Sequence, residues 1–172
     1  MSKLYQRKLS VVGLRKLFIL PGSYISKRLN HTPMMNEELR TIMTKDPVIV
    51  HPNDTIADAQ AKMKRKRVQQ MPVVDDGNHL VGIVTVFDFW KHREQTAGTV
   101  RDIMSTDVVK LSPKDKVGTA AELFMDKRFK TFPVVNLRNE LKGVITAFDV
   151  IRYSYRKEYP EPILYKDVVL AS

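Results

Sequence analysis

The sequence predicts a mixed α+β fold made of two copies of one small unit. Three observations carry this: an ungapped internal repeat, the same order of strand-like and helix-like patterns in each copy, and a composition suited to a packed core. The repeat has an offset of 61 residues. Arg40-Thr-Ile-Met-Thr-Lys-Asp46 matches Arg101-Asp-Ile-Met-Ser-Thr-Asp107, and Thr85-Val-Phe-Asp88 matches Thr146-Ala-Phe-Asp149. Over positions 40–93, 19 residues are identical in register with no insertion, which marks a duplication rather than a chance likeness.

Each copy reads strand, helix, strand, strand, helix. Val48-Ile-Val50 is a short β-branched run ended by His51-Pro52, and Asn53 or Asp54 is placed to cap the helix that follows. Ile56, Ala59 and Met63 recur at helical spacing, as do Val117, Ala120 and Phe124 in the second copy. Met71-Pro-Val-Val74 reads as a second strand that Pro72 opens, and Asp75-Asp-Gly-Asn78 as a turn. Leu80 to Val84 completes a hairpin, and a last helix starts near Thr85. A unit of about 54 residues is near the lower limit for an independent core. The two copies are therefore expected to pack as a pseudo-two-fold pair, sheets central and helices outside.

Apolar residues form 43% of the 172-residue chain, and no cysteine is present. A disulfide framework, a thiolate metal site and a cysteine nucleophile are thereby excluded. No apolar run is long enough to span a bilayer and no secretory signal is evident, so a cytoplasmic location is expected. The net charge of +10 is uneven. Residues 1–35 hold seven Lys or Arg and no acid, leaving 22 basic residues against 19 acids, a net of +3, in the rest. The basic character belongs to a leader, so the high overall pI says little about nucleic acid.

Gly82-Ile-Val-Thr85-Val-Phe-Asp88, ten residues after Pro72-Val-Val74, resembles a CBS domain. Gly143-Val-Ile-Thr146-Ala-Phe-Asp149, after Pro133-Val-Val135, resembles the second of a pair, and Ile42-Met43 and Ile103-Met104 resemble the usual entry to such repeats. The resemblance covers about residues 38–156 and implies a Bateman-type module. It divides the chain into a leader over 1–37, repeats over 38–97 and 98–156, and a tail over 157–172. It also implies a non-enzymatic regulatory sensor, with no catalytic cofactor, that takes AMP, ADP, ATP or S-adenosylmethionine in clefts between the repeats. A homodimer and a separate effector protein are the partners it implies.

The Gly-x-x-Thr-x-x-Asp corner suits such a ligand, because helix-start N–H groups favour an anion and the aspartates can accept from ribose hydroxyls. The threonine hydroxyls are candidate phosphate donors, and Gly82 and Gly143 permit a close approach. Thr-x-x-Asp equally fits a capping box, in which both residues only satisfy the helix end. The resemblance pairs one repeat's base slot with the other repeat's Thr and Asp. One expected cleft combines Asp46, Val68, Gln70 and Met71 with Val144, Thr146 and Asp149. The other combines Asp107, Phe129, Lys130, Thr131 and Phe132 with Ile83, Thr85 and Asp88. Core packing is the competing role for Met71 and Phe132. Lys130 is the better phosphate candidate, because its counterpart in the first copy is Gln69, so the two clefts are expected to be unequal.

The four histidines have no zinc-like spacing, and no phosphate-binding loop or nucleophile elbow is present. The leader also carries Val11, Val12, Leu14, Leu17, Phe18, Ile19 and Leu20. Packing or self-association, binding to an anionic membrane surface or nucleic acid, and a transit segment remain open for it. The alternative function is accordingly a scaffold or interaction module whose basic leader binds a polyanion, a membrane or a partner protein. The tail, with Tyr153, Tyr155, Tyr159, Pro160 and Pro162, is expected to wrap the surface.

Overall fold

The computed structural model describes residues 35–93, 97–127 and 129–160. The expectations for the leader before residue 35 and for the tail beyond residue 160 lie outside the described residues. Repeat 1 contains α1 (Ile56–Lys66), β1 (Gln70–Val74), β2 (Leu80–Thr85) and α2 (Val86–Lys91). A helical turn, α3 (Val100–Ile103), leads into α4 (Val117–Lys127), β3 (Thr131–Val135), β4 (Leu141–Thr146) and α5 (Ala147–Glu158). A 3-10 turn at Leu39–Thr41 holds the place in repeat 1 that α3 holds in repeat 2.

Each hairpin forms a two-stranded antiparallel sheet, and the registers match across the duplication: Gln70 pairs with Thr85 and Thr131 with Thr146. The strand expected at 48–50 shrinks to a single parallel bridge between Val50 and Val73, mirrored by Leu111 and Val134. Val50 N–H donates to the Pro72 carbonyl and Val74 N–H to the Val50 carbonyl, after which His51-Pro52 turns the chain away. The α1 cap is also corrected. Thr55 accepts from Asp58 N–H at 3.0 Å, while Asp54 takes the His51 N–H at 2.9 Å and so braces the preceding turn. Asp115 does the same for Ser112 at 2.7 Å.

Two cores follow from the helical faces. Ile56, Ala59 and Met63 of α1 pack with Met71, Val73, Val84 and Phe89; Val117, Ala120 and Phe124 of α4 pack with Phe132, Val134, Ile145 and Val150. Each core is completed by the other repeat's entry segment. Leu39 is buried in the second core, while Val100 and Ile103 are buried in the first. The backbone follows the same exchange. Leu39 N–H donates to Asp115 at 2.8 Å and Val100 N–H to Asp54 at 2.9 Å, a pair of bonds related by the duplication.

A third cluster, Val74, Leu80, Val135 and Leu141, joins the hairpins at the centre. Asn78 and Asn139 hold the left-handed conformation that each turn needs (φ 61° and 62°). Their side-chain amides reach across to the Leu141 and Leu80 carbonyls at 3.0 and 2.8 Å. Asn139→Ala is therefore expected to lower unfolding free energy by about 1–2 kcal/mol, through the lost cross-repeat bond and the strained turn. Urea denaturation checks this, and an unchanged midpoint would refute it.

Candidate functional site

The crossing of entry segments builds the clefts. Ser105 pairs with Ile83 through two reciprocal backbone bonds of 2.9 Å, which lays Asp107, Val108 and Val109 against the end of β2. Thr85 ends that strand, and Phe129 and Thr131 enter from the start of β3. A hollow of about 180 Å3 results, lined by five residues of the second expected cleft: Asp107, Phe129, Thr131, Ile83 and Thr85. It adjoins a groove of about 550 Å3 that shares Gln70, Thr85 and Phe129 and adds Lys130, Phe87 and Trp90. Lys130 donates to the Gln69 Oε1 at 3.1 Å, so the two equivalent positions meet at the pseudo-two-fold axis.

Gln70 is placed differently from expectation. It belongs to the second cleft, where its Oε1 is buried and has no protein hydrogen-bond partner among the described residues. A buried acceptor left unpaired is costly, so a bound donor at this oxygen would relieve it. Ser105, Val108, Val109 and Pro133 also line the hollow and were not among the expected site residues. The signal for three of them was their position just after the Ile103-Met104 entry.

The first expected cleft is dispersed. Thr44 pairs with Val144 by two 2.9 Å bonds, which brings the segment carrying exposed Asp46 toward β4. Val68 instead lines an outer groove between α1 and α2. Asp149 is only 5% exposed and lines a groove of about 480 Å3 of mixed charge with Glu37, Thr41, Arg152 and Arg156. In that groove, burial pushes the Tyr153 phenol above its ordinary value, so it remains a neutral donor near pH 7. Met71 and Phe132 have no exposed surface, and their side chains fill the cores rather than the base slots expected of them.

The Thr-x-x-Asp corners form complete capping boxes. Asp88 Oδ2 accepts from Thr85 N–H at 2.8 Å and from the Thr85 hydroxyl at 2.7 Å, while that hydroxyl accepts from Asp88 N–H. Thr146 and Asp149 repeat the arrangement, and the second Asp149 oxygen is held by Arg152. The expected supply of free donors at these helix starts is thus corrected. Both hydroxyls donate to their own aspartates, and Val86 N–H donates to the Gln69 carbonyl at 3.0 Å. The close approach at the glycines serves the fold as well. A Cβ on Gly82 would meet Met104 Sδ at 2.8 Å and the Ser105 carbonyl at 3.0 Å, so glycine admits the entry segment.

The family model for the CBS domain matches residues 39–89 and 100–156, well over half of the chain. The chain belongs to the CBS domain family. Among curated relatives of this CBS pair, inosine-5'-monophosphate dehydrogenase of Methanocaldococcus jannaschii is 34% identical over 120 residues, covering 70% of this chain and 23% of that protein. The uncharacterized protein MJ1225 of the same organism is 31% identical over 133 residues, covering 69% and 47%. The chain thus spans less than half the length of either relative.

Among solved structures, the CBS domain pair of protein MJ0100 in complex with 5'-methylthioadenosine and S-adenosyl-L-methionine is 26% identical with a TM-score of 0.64, covering 71% of this chain and 98% of that one. CBSX2 from Arabidopsis thaliana is 26% identical with a TM-score of 0.66, covering 72% and 97%. Among the described residues, no helix is long and apolar enough to cross a membrane, and no cluster of His, Cys, Asp and Glu is arranged to hold a metal ion.

Proposed function

We propose that this CBS pair is a non-enzymatic sensor that binds an adenosine-containing ligand in the hollow between β2 and the entry segment of repeat 2. The observation that carries the reading is Gln70, which lines that hollow and whose buried Oε1 has no protein partner among the described residues. The adenine amino group is a donor of the kind this acceptor lacks, and Ile83, Val108 and Phe129 supply apolar walls for a flat base. Asp88 lines neither the hollow nor the adjoining groove; its Oδ2 keeps the helix cap, and its second carboxylate oxygen is the one left for a ribose hydroxyl. Lys130, on the adjoining groove, meets a phosphate or a carboxylate. The MJ0100 pair, whose structure holds two adenosine derivatives, supports this ligand class.

The hollow alone is below the usual 300–1,000 Å3 of a ligand pocket, so the ligand must also use the adjoining groove. On this reading the chain works as a cytoplasmic homodimer that acts on a separate effector. Exposed Phe148 and Ile151 on α5 offer apolar surface for a second copy to cover.

Calorimetry with 5'-methylthioadenosine, S-adenosylmethionine, AMP and ATP tests the ligand class. Lys130→Ala is expected to weaken AMP and ATP by roughly tenfold, equivalent to one lost charge-assisted bond, and to leave 5'-methylthioadenosine unchanged. Val109→Trp, which fills the hollow, is expected to abolish binding of all four. Failure of every ligand to bind the parent chain, or undiminished binding to Val109→Trp, would overturn the assignment.

A further inference from the structure

Repeat 1 carries an outer groove of about 830 Å3 between α1 and α2, which shares Gln69, Val86 and Trp90 with the groove beside the adenosine hollow but none of the residues that line the hollow itself. Its cause is the shortness of α2. That helix ends at Lys91, whereas its counterpart α5 continues to Glu158 and packs Tyr153 against the second core. Among the described residues, the matching surface of α1 therefore lacks the cover that α4 receives. The groove floor is apolar, with buried Met63 and Phe89, half-buried Val68 and exposed Trp90.

The banks of the groove are cationic. Lys64 and Arg67 stand at the end of α1, and Arg93 rises on the other side with its guanidinium 5.4 Å from the centre of the Trp90 ring. Among the described residues, no acid lines the groove. Basic residues at the end of α1 are favoured by the helix dipole alone. Arg93 lies beyond the end of α2, on the opposite bank. Lys64 and Arg67 make no ion pair among the described residues. The duplication gives an internal control: the positions equivalent to Lys64 and Arg93 are Met125 and Ser154 in repeat 2. The fold therefore does not require a charge at Lys64 or Arg93, whereas Arg67 is matched by Arg128.

We infer that this groove docks an acidic amphipathic helix of a partner protein. Two helical banks over an apolar floor accept a third helix by ridges-into-grooves packing, and the 11 residues of α1 offer about 16 Å of contact length. The occupant's apolar face covers Trp90 and Val68, and its carboxylates meet Lys64 and Arg67. The inference does not depend on the adenosine reading.

Trp90 is the sole tryptophan of the chain, so it reports occupancy directly. The full chain is titrated with a tryptophan-free helical peptide about as long as α1, with leucines on one face and glutamates on the other. The same peptide with lysines for glutamates, and phosphatidylcholine vesicles containing phosphatidylserine, are run in parallel. The acidic peptide is expected to give a saturable blue shift that weakens with salt, and the lysine peptide to give none. Lys64→Glu combined with Arg67→Glu is expected to weaken the acidic peptide by roughly tenfold or more. Ala61→Tyr, an exposed groove position on α1, is expected to block the peptide without changing the circular dichroism spectrum. Equal response to both peptides, no response to the acidic one, binding unaffected by either variant, or a Trp90 response to vesicles alone would overturn the docking assignment.

Discussion

Phe132→Ala is expected to cost about 3–5 kcal/mol of unfolding free energy, the largest effect of any single truncation considered. Phe132 has no exposed surface, and its ring centroid lies 4.7 Å from that of Phe124 and 5.7 Å from that of Phe129. Removing the ring leaves a void between α4 and β3 that a two-stranded sheet and one helix cannot collapse to fill. Single domains have total stabilities of about 5–15 kcal/mol, so the loss is a large share of the whole. The damage is also expected to spread. Leu39 of repeat 1 is buried in the same core as Phe132, and Val100 and Ile103 of repeat 2 complete the other core. The two repeats should therefore unfold together. Trp90 lies in repeat 1, so its fluorescence midpoint in urea should fall as far as the circular dichroism midpoint. A Trp90 transition that stays in place while the circular dichroism transition moves would mean that the repeats unfold independently.

Gly143→Ala is expected to destabilise by about 2–3 kcal/mol, and Gly82→Ala by about 1 kcal/mol less than that. Neither effect comes from backbone strain, because among the described glycines only Gly98 has positive φ. The cause is what a methyl group would strike. At Gly143 it meets the Thr44 carbonyl oxygen far inside contact distance, and a backbone group cannot step aside without breaking the Thr44–Val144 pair. At Gly82 its nearest neighbour is the Met104 sulfur, on a flexible side chain, with the Ser105 carbonyl at 3.0 Å. Ligand binding is expected to show the reverse order. Gly82→Ala shifts Ser105 against Ile83 at the wall of the adenosine hollow, whereas Gly143→Ala acts on the other entry segment. Chemical denaturation and calorimetry on the same two variants separate the effects. Equal destabilisation by both would contradict the packing account.

The local features were legible in the sequence because their causes are local. The α1 face of Ile56, Ala59 and Met63 depends on helical spacing, and Thr85 and Asp88 close a capping box across three residues. The turns at Asn78 and Asn139 depend on a residue type that tolerates positive φ. The duplication located both hairpins and their shared register. Asp107, Phe129, Thr131, Ile83 and Thr85 were brought together by the resemblance, and the structure places all five around one hollow.

Tertiary packing decided the rest. Gln70 and Met71 are neighbours on β1, yet one lines the hollow and the other fills a core, because a strand sends successive side chains to opposite faces. The sequence shows that alternation but not which face the partner repeat covers. The answer comes from Ser105 pairing with Ile83 and Thr44 with Val144, contacts between segments whose own patterns do not name each other. The outer groove has the same origin, since it lies where α2 stops and, among the described residues, nothing corresponding to the later turns of α5 covers α1. Periodicity and capping thus determined the elements and their order, while the exchange of entry segments between repeats determined which surfaces became core, cleft or groove.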